Sequence, residues 1–383
     1  MFKFLKSATT AFLLMLNILL AILFIACCFA PYLDPREWWF TGFFGLFFPY
    51  LFLLMLFFLV GWLFVRPKWA LIPAIVLLIG IIPLSSHVSF KSQDSFSVER
   101  GSELRVMTWN VRNFIPFDET EFIPSLKEHH QLIFEQIKKY QPDVISFQEF
   151  LSIPWLGEFD PFLILKNELG YKYVKFAGDE IFKTEQRSGI AIFSKIPLVG
   201  SGVIEYSESP ENKPENTVYV DLKYKEDTIR LYSIHLQSFR FGDREYKAIN
   251  DLRHESKIDV GESKHVLRRM KNTFYWHGVQ ADFMKSMMDK SPHPVVLTGD
   301  FNDVPNSYAY STLKGDLNDV FLEKGSGIGA TFTSATSSIL RHLPTLRIDY
   351  IFADPTITST QFLKGGKKIS DHAFLISDFT TKQ

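Results

Sequence analysis

Cysteine is almost absent from this chain of 383 residues. The two that occur, Cys27 and Cys28, are adjacent and lie inside an apolar run. Neighbouring cysteines in a helix are poorly placed to bridge each other. Residues 29–383 contain no cysteine, so they can form neither a disulfide nor a thiolate metal site. This absence does not define the redox compartment, because a domain of this size buries an adequate core without disulfides.

Charged residues are scarce in the first 90 residues. The rest of the chain has no excess of positive charge. Five of the 41 Lys and Arg residues and two of the 42 Asp and Glu residues precede residue 91, which leaves 36 against 40. A domain whose main task is to bind nucleic acid is usually basic. The net charge of −4 beyond residue 90 therefore weakens a purely nucleic-acid-binding function without excluding a nuclease.

Three long apolar runs open the sequence, at residues 11–30, 43–65 and 69–88. About 20 apolar residues in a helix span the hydrocarbon core of a bilayer, and the first two runs meet this criterion. The third run is weaker because it contains Pro73 and Pro83. The alternative for the first run is a cleaved signal peptide, which would leave the second as the anchor. We therefore expect residues 1–90 to form a transmembrane region of about three helices.

Cationic residues flank the first run and fill the second loop: Lys3, Lys6, Arg66 and Lys68. The first loop has Arg36 as its one cation. The positive-inside rule then places the N-terminus in the cytoplasm. Three crossings would put everything after residue 88 in the periplasm, the cell exterior or an organelle lumen. If the third run is only interfacial, the remainder of the chain is cytoplasmic instead.

The remainder of the sequence divides into a polar linker, residues 91–102, and a domain at 103–383. Short β-rich runs recur in this domain, with helices in only some of the connections, at 123–137 and 262–290. We therefore predict an α/β sandwich of mixed sheets rather than a doubly wound parallel sheet. Residues 239–261 are charged and have few apolar anchors, which indicates a mobile loop close to the site. The predicted strands are 104–109, 144–147, 189–193, 218–224, 229–234, 295–298, 348–352 and 373–376.

Polar side chains that suit catalysis follow or begin six of these strands. They are Asn110, Gln148, Glu149, His235, Asp300, Asn302, Asp349, Asp371 and His372. Such residues converge on one site only if their strands share a sheet edge or face.

This set suits metal-assisted hydrolysis of a phosphate ester. Hard cations prefer carboxylate and amide oxygens, which fits Glu149 and Asp371. Asp300 is the candidate to orient or deprotonate the attacking water. Asp349 is placed to fix the tautomer of His372, which could hold or protonate a phosphate oxygen. Because the donors are oxygen and imidazole without thiolate, Mg²⁺ or Mn²⁺ is favoured over structural zinc.

Seven motifs occur in an order that resembles the endonuclease/exonuclease/phosphatase superfamily, which includes deoxyribonuclease I, exonuclease III, neutral sphingomyelinases and inositol polyphosphate 5-phosphatases. The motifs span about residues 103–380. The resemblance implies a four-layer sandwich of two β-sheets covered by helices. The motifs are 109–114 (WNVRNF), 146–149 (SFQE), 188–194 (SGIAIFS), 233–236 (SIHL), 299–302 (GDFN), 347–350 (RIDY) and 370–372 (SDH).

The resemblance implies that Asn110 and Glu149 bind or position the metal and that Asp371 completes its shell. Whether one or two metals act stays open. Arg112 and Arg187 are candidate contacts to the substrate phosphate, although surface salt bridges explain such arginines equally well.

The resemblance also assigns roles in the reaction itself. His235 would contact the scissile phosphate, and Asp300 would align or activate the nucleophilic water. Asn302 would hold a phosphate oxygen. Asp349 would orient His372, which would stabilise the transition state.

Substrate identity stays open at this stage, because relatives with nearly the same catalytic set act on DNA, RNA, sphingomyelin and phosphoinositides. Membrane attachment favours a phospholipid headgroup, since tethering raises the effective concentration of enzyme near a bilayer substrate. The sequence 110–112 (NVR) resembles deoxyribonuclease I in particular, which favours an extracytoplasmic nuclease. A third hypothesis is an inactive, membrane-tethered binding module. No obligate protein partner is evident from the sequence.

Overall fold

The computed structural model describes residues 2–92, 94–116, 126–181, 186–206, 216–241, 260–332, 346–366 and 368–381. The predicted loop at 239–261 lies largely outside these residues, because 242–259 are not described.

The N-terminal region is helical. It contains α1 (Phe2–Cys28), α2 (Thr41–Val65), α3 (Leu71–Ile79) and α4 (Ile81–His87), with 3₁₀ turns at Ala30–Tyr32 and Pro67–Ala70. Among the described residues, Ala8–Cys28 and Thr41–Val65 are each long and apolar enough to cross a membrane. The third predicted span is a pair of helices, Pro67–Ile79 and Ile81–His87, bent by 52°. By length and composition there are thus two candidate spans, or three if the bent pair counts as one.

The strands form two sheets of six. The first sheet has the order β11-β12-β1-β2-β4-β3, and the second has the order β5-β6-β7-β8-β10-β9. The pairs β1–β2 and β7–β8 are parallel and the other neighbours are antiparallel. Both sheets are therefore mixed, as predicted. The strands are β1 (Leu104–Asn110), β2 (Val144–Ser152), β3 (Tyr173–Ile181), β4 (Gln186–Ser194), β5 (Leu198–Ile204), β6 (Thr217–Tyr224), β7 (Asp227–His235), β8 (Val295–Asp300), β9 (Asn318–Asp319), β10 (Asp349–Ala353), β11 (Ile357–Gly365) and β12 (Phe374–Thr381).

Helices cover the outer face of each sheet. The helix α5 (Leu126–Tyr140) buries Ile133, Phe134 and Ile137 against the first sheet. The helix α6 (Val260–Met288) packs Ala281 and Met284 against the second sheet. Shorter helices are α7 (Tyr308–Lys314) and α8 (Val320–Lys324), and short helical turns occupy Arg112–Phe114, Pro154–Phe159, Pro161–Leu163 and Ile164–Glu168. The predicted α/β sandwich with helical outer layers is confirmed.

Four strands that the sequence patterns did not predict are β3, β5, β9 and β11, and these are the four edge strands of the two sheets. Along β5 the residues alternate between half-buried and exposed up to a buried Ile204. Edge strands are less deeply covered than central strands, so they carry polar and small residues that weaken the apolar signal. The eight predicted strands account for all eight interior strands.

Contacts between the N-terminal helices and the α/β sandwich fix their relative position. The side-chain amide of Asn306 donates to the carbonyl of Cys27 at 2.9 Å. The guanidinium of Arg347 donates to the carbonyl of Ser86 at 2.6 Å. Just after α4, Ser89 forms an isolated antiparallel bridge with Gly327.

Candidate active site

The space between the sheets changes from apolar to polar along the strands. In β7, Ile229 and Leu231 lie in the apolar inter-sheet core, Ser233 follows on the same face, and His235 ends the strand. This order follows from the period of two in a β-strand, which places alternate residues on one face. The same progression occurs in β1, β2 and β8, where Thr108, Ser146 and Thr298 occupy the place of Ser233.

Strand register then aligns the candidate site residues. In the second sheet, Asp300 is paired with His235 on one side and with Asp349 on the other. In the first sheet, Asn110 is paired with Gln148. The candidate site residues therefore converge, as a single site requires, because these strand ends lie at the same end of the sandwich.

A β-bulge brings Glu149 into the site. The pairing of β2 with β4 shifts between Phe147 and Phe150, and Glu149 adopts a left-handed conformation with φ of 50°. Phe147 and Phe150 both remain buried in the core under α5, so the extra residue of the bulge turns the Glu149 carboxylate toward the cleft. Re-aiming a side chain next to an active site is a recurrent role of bulges.

A buried hydroxyl and amide network joins the two sheets directly beneath the site. The hydroxyl of Ser146 donates to that of Ser233 at 2.6 Å, and Thr298 donates to Ser146 at 3.0 Å. The amide of Gln148 donates to the hydroxyls of Ser146 and Ser233. Gln148 was among the polar strand-end residues, but the structure places it in this supporting network. The network was not predicted, because its hydroxyl groups meet between two sheets whose strands are far apart in the sequence.

Asn110 connects the two halves of the site. Its side-chain nitrogen donates to Glu149 Oε1 at 3.0 Å and to Asp300 Oδ2 at 3.1 Å. Its oxygen accepts the backbone N–H of Arg112 at 3.0 Å. The Arg112 guanidinium lies 3.6 Å from the Asp371 carboxylate. Asn110 therefore orients two carboxylates.

His372 is held between two carboxylates. Its Nδ1 lies 3.0 Å and 3.1 Å from the Asp349 oxygens, and its Nε2 lies 3.7 Å from Asp300 Oδ2. Burial acts to lower the pKa of His372, but the charges of Asp349 and Asp300 outweigh it and raise the pKa well above its usual value. Burial raises the pKa of Asp300 to about 6, while the charge of His372 acts in the opposite direction.

His235 and Asn302 complete the surroundings of Asp300. His235 Nε2 lies 3.6 Å from Asp300 Oδ2 and 3.9 Å from Glu149 Oε1. The backbone N–H of Asn302 donates to Asp300 Oδ1 at 2.8 Å, and its side chain donates to the carbonyl of Leu236 at 3.0 Å. The Asn302 amide is therefore fixed at the entrance to the site.

The donor set beside Asn110 fits a hard divalent cation. Burial raises the pKa of Asp371, the charge of His372 opposes this, and the negative charge of Glu149 raises it further. Two carboxylates that repel each other in a cleft are stabilised when a cation lies between them. Asp300, Asp349 and His372 also form a compact cluster, with candidate ligand atoms within 4.8 Å of one another. In that cluster His372 Nδ1 is already hydrogen-bonded by Asp349, so Glu149 and Asp371 are the better ligands.

Arg187 and His277 have different surroundings. The Arg187 guanidinium lies 5.0 Å from the ring centre of Phe162, as a packed side chain. His277, which received no functional weight from the sequence, is buried and pairs with Asp303 at 3.2 Å. Asp303 lines the cleft. No sequence pattern predicts this pair, because its members lie on α6 and in a separate loop.

The site opens into a cleft of about 250 Å³. Its polar side is formed by Glu149, Asp300, Asn302, Asp371 and His372. Much of the remaining lining is apolar or aromatic. A strongly polar catalytic centre therefore adjoins an apolar wall.

Comparison with protein families gives two matches. A model described as the Endonuclease/Exonuclease/phosphatase family matches residues 107–372. A model described as a domain of unknown function matches residues 10–87. No curated protein matches the chain.

Several solved structures resemble the chain. The catalytic domain of human Nocturnin with bound sulfate is 20% identical, covers 73% of this chain and 94% of its own, and has a TM-score of 0.48. TDP2 from D. rerio complexed with a single-strand DNA product is 17% identical over 73% and 100% of the chains, with a TM-score of 0.48. A family protein from Leptotrichia buccalis is 16% identical over 72% and 99%, with a TM-score of 0.49.

Proposed function

Because this chain belongs to the endonuclease/exonuclease/phosphatase family, we propose that its cleft hydrolyses phosphate esters, in particular phosphodiesters, with the help of a divalent cation. Members of this family are hydrolases that act on phosphoester bonds. The observation that supports the proposal is the position of Asp300, whose carboxylate lies between Asn110, His235 and His372.

In the proposed reaction a water oxygen attacks phosphorus and the bond from phosphorus to the leaving oxygen breaks. Asp300 takes the proton of the water, which its raised pKa favours. The leaving oxygen gains a proton. His235 is positioned to supply this proton or to stabilise the charge on the leaving oxygen. Atoms and charge balance when the water is divided between phosphate and the leaving alcohol.

His372 has the opposite electrostatic role to Asp300. The Asp349 carboxylate favours its charged form, so His372 presents a positive Nε2–H to the phosphate. The Asn302 amide, placed by its bond to the Leu236 carbonyl, provides a neutral contact to a second phosphate oxygen. Preorganised donors of this kind stabilise charge that develops in the transition state.

Glu149 and Asp371 would hold Mg²⁺ or Mn²⁺, with Asn110 positioned beside them. When bound, the cation would neutralise charge on the phosphate and polarise its oxygens. Arg112, 3.6 Å from Asp371, is placed to contact the substrate phosphate once that carboxylate is occupied. Arg187 remains a weaker candidate for the same role.

We also propose that residues 1–90 tether the enzyme to a bilayer, that 91–102 connect the two parts, and that 103–383 form the catalytic domain. The exposed apolar faces of α1 and α2 support this placement, since large exposed apolar surfaces mark membrane or protein contacts. The cationic flanks favour a cytoplasmic N-terminus and, if α3 and α4 cross, an extracytoplasmic catalytic domain.

The test is hydrolysis of bis-(p-nitrophenyl) phosphate by the full chain in detergent, with Mg²⁺, with Mn²⁺ and with chelator. We expect metal-dependent turnover, and a decrease in kcat of about 10²- to 10⁴-fold in Asp300→Asn and in His372→Ala. Asp289→Asn, an exposed aspartate on the surface, is the matched control and should retain activity. A folded protein that binds phosphodiester without turnover would instead support the binding-module hypothesis.

A further inference from the structure

Part of the active-site cleft is built by the membrane-anchoring region. Leu46 lies in α2, one of the two helices apolar and long enough to span a bilayer, and it lines the same cleft as Asp300 and His372. The catalytic centre is therefore bounded by a residue that belongs to the candidate span.

A continuous apolar path runs from the catalytic histidine to this helix. The ring of Phe332 meets the ring of His372 edge-on, with centres 5.0 Å apart. Phe332 and Leu46 both pack against a buried cluster of Val304, Leu346 and Ile348. The apolar surface thus begins at the catalytic centre and ends on α2.

The opposite side of the cleft forms a second apolar path to the same helix. The ring of Phe239 lies 5.5 Å from that of Phe274, and Phe274 lies 5.3 Å from Phe43 in α2. Phe239 and Phe274 line the cleft. Two separate sets of apolar side chains therefore connect the site to α2.

Glycines allow α2 to approach the catalytic domain closely enough to form this wall. A Cβ at Gly42 would lie 2.3 Å from the Phe274 ring, and a Cβ at Gly45 would lie 3.1 Å from Val304. Arg36, in the loop before α2, forms an ion pair with Asp282 on α6 at 2.5 Å. These contacts therefore fix the position of α2 against the domain.

Beyond the cleft, α2 continues into the surface that faces the hydrocarbon of a bilayer. Leu53 is 63% exposed and Phe57 is 72% exposed, although both are large apolar residues. The cleft wall and this exposed surface lie on one helix. Apolar side chains of the same helix therefore occur both in the cleft and on the exposed surface.

We propose that the substrate is a membrane lipid that carries a phosphate ester, with the phosphate at Asp300 and His372 and an apolar chain against Leu46, Phe332 and Phe274. This inference rests on the proposed phosphoesterase function and specifies its substrate class. An apolar chain held there removes CH₂ groups from water, and each one buried should raise kcat/KM by about fourfold.

Charge in the cleft argues against a polynucleotide as substrate. Among the described residues that line the cleft, Arg240 alone carries a permanent positive charge. Tight binding of a polynucleotide requires a row of cations that contact successive phosphates. The apolar path can contact a lipid chain, but it has no cations that would bind further phosphates.

The experiment measures kcat/KM of the full chain in detergent for a series of alkyl p-nitrophenyl phosphodiesters, with methyl, octyl and dodecyl groups. The leaving group and the phosphate are constant, so the series varies only the apolar chain. We expect kcat/KM for dodecyl to exceed that for methyl by at least about tenfold, because a few buried CH₂ groups suffice.

Leu46→Trp tests whether this wall causes the increase. The bulkier ring should fill the path and reduce the dodecyl-to-methyl ratio to within about twofold of unity. Leu46→Ala, which removes apolar contact without adding bulk, should reduce the ratio as well. The matched control is Leu53→Trp, seven residues further along α2 and exposed, which should leave the whole series unchanged.

The outcomes separate this inference from the proposed function. A flat series with intact methyl ester hydrolysis would overturn the lipid proposal and retain the phosphoesterase. An increase that Leu46→Trp does not remove would also overturn it, because the chain would bind elsewhere. Faster hydrolysis of a short single-stranded oligonucleotide than of the dodecyl ester would also overturn the lipid proposal. It would indicate that the aromatic wall binds nucleobases. No hydrolysis of any ester by folded protein would overturn the proposed function itself.

Discussion

Glu149 shows how a single backbone conformation creates part of the site. A non-glycine residue held in a sparsely populated region of φ and ψ costs roughly 1–3 kcal/mol, and it persists where the surrounding structure fixes it. Here the burial of Phe147 and Phe150 on either side fixes the bulge. The cost is offset by the core packing, and the result is a carboxylate that faces Asp371.

We predict opposite effects of Glu149→Gln with and without metal. The amide keeps the shape of the side chain but removes the charge that repels Asp371, so Tm in chelator should be equal to or above that of the unmodified chain. The increase in Tm on adding Mg²⁺ should shrink, because a ligand that binds only folded protein stabilises it by mass action. Thermal melts of both proteins, with and without Mg²⁺, provide the measurement.

The control for this prediction is Glu158→Gln, an exposed carboxylate in a short helical turn. It should leave the increase in Tm with Mg²⁺ unchanged. If Glu149→Gln retained the full increase and full activity, Glu149 would not be a metal ligand.

At the scale of the strand, the site depends on the close approach of β7 and β8. Gly299 lies between Thr298 and Asp300 with φ of 135°, and a Cβ there would lie 2.0 Å from the carbonyl oxygen of Ile234. Only glycine permits both this conformation and this distance. The pairing of His235 with Asp300 follows directly from it.

Gly299→Ala should therefore separate β7 from β8 and move Asp300 relative to His235. We expect a lower free energy of unfolding, by at least about 1–3 kcal/mol from the strain alone. We also expect a fall in kcat greater than the fall in folded protein. Denaturant unfolding monitored by fluorescence, together with kinetics on bis-(p-nitrophenyl) phosphate, measures the two effects.

The matched substitution is Gly61→Ala in α2, where no atom lies within 4 Å of the added Cβ. It should leave both stability and activity close to those of the unmodified chain. Normal activity and stability in Gly299→Ala would show that the strands can adjust, contrary to the close approach described.

At the scale of the whole molecule, the N-terminal helices and the α/β sandwich pack against each other. Arg347 illustrates this, because it is buried, pairs with Asp319 at 2.7 Å and donates to the carbonyl of Ser86. It belongs to a motif of the catalytic domain, yet it contacts the last turn of α4. If the N-terminal helices span a membrane, as we propose, the side on which the site lies depends on whether α3 and α4 cross.

We predict that a bacterial alkaline phosphatase fused after Gln383 is active and that a green fluorescent protein fused at the same position is dark. Three crossings from a cytoplasmic N-terminus place the fusion outside the cytoplasm. Removal of residues 67–88 should reverse both results. A fluorescent fusion of the complete chain would instead show that the bent pair does not cross and that the site faces the cytoplasm.

The sequence by itself identified the fold class, the interior strands and the candidate residues of the site. These features depend on local periodicity and on motifs at strand ends, such as Asp300 at the end of β8 and His372 before β12. Such patterns are visible because a central strand is buried on both faces and its apolar run ends where the polar residues begin. The candidate membrane helices were visible for the same reason, since their composition alone reports their surroundings.

Only the tertiary structure decided which distant residues meet. The edge strands, the hydroxyl network of Ser146 and Ser233, the pairing of His277 with Asp303 and the place of Leu46 in the cleft all join segments far apart in sequence. Contacts of this kind leave no periodic signal, because each depends on how elements pack rather than on its own neighbours along the chain. The candidate site residues could therefore be identified from the sequence, while the apolar wall beside them depends on the packing of α2 against the domain.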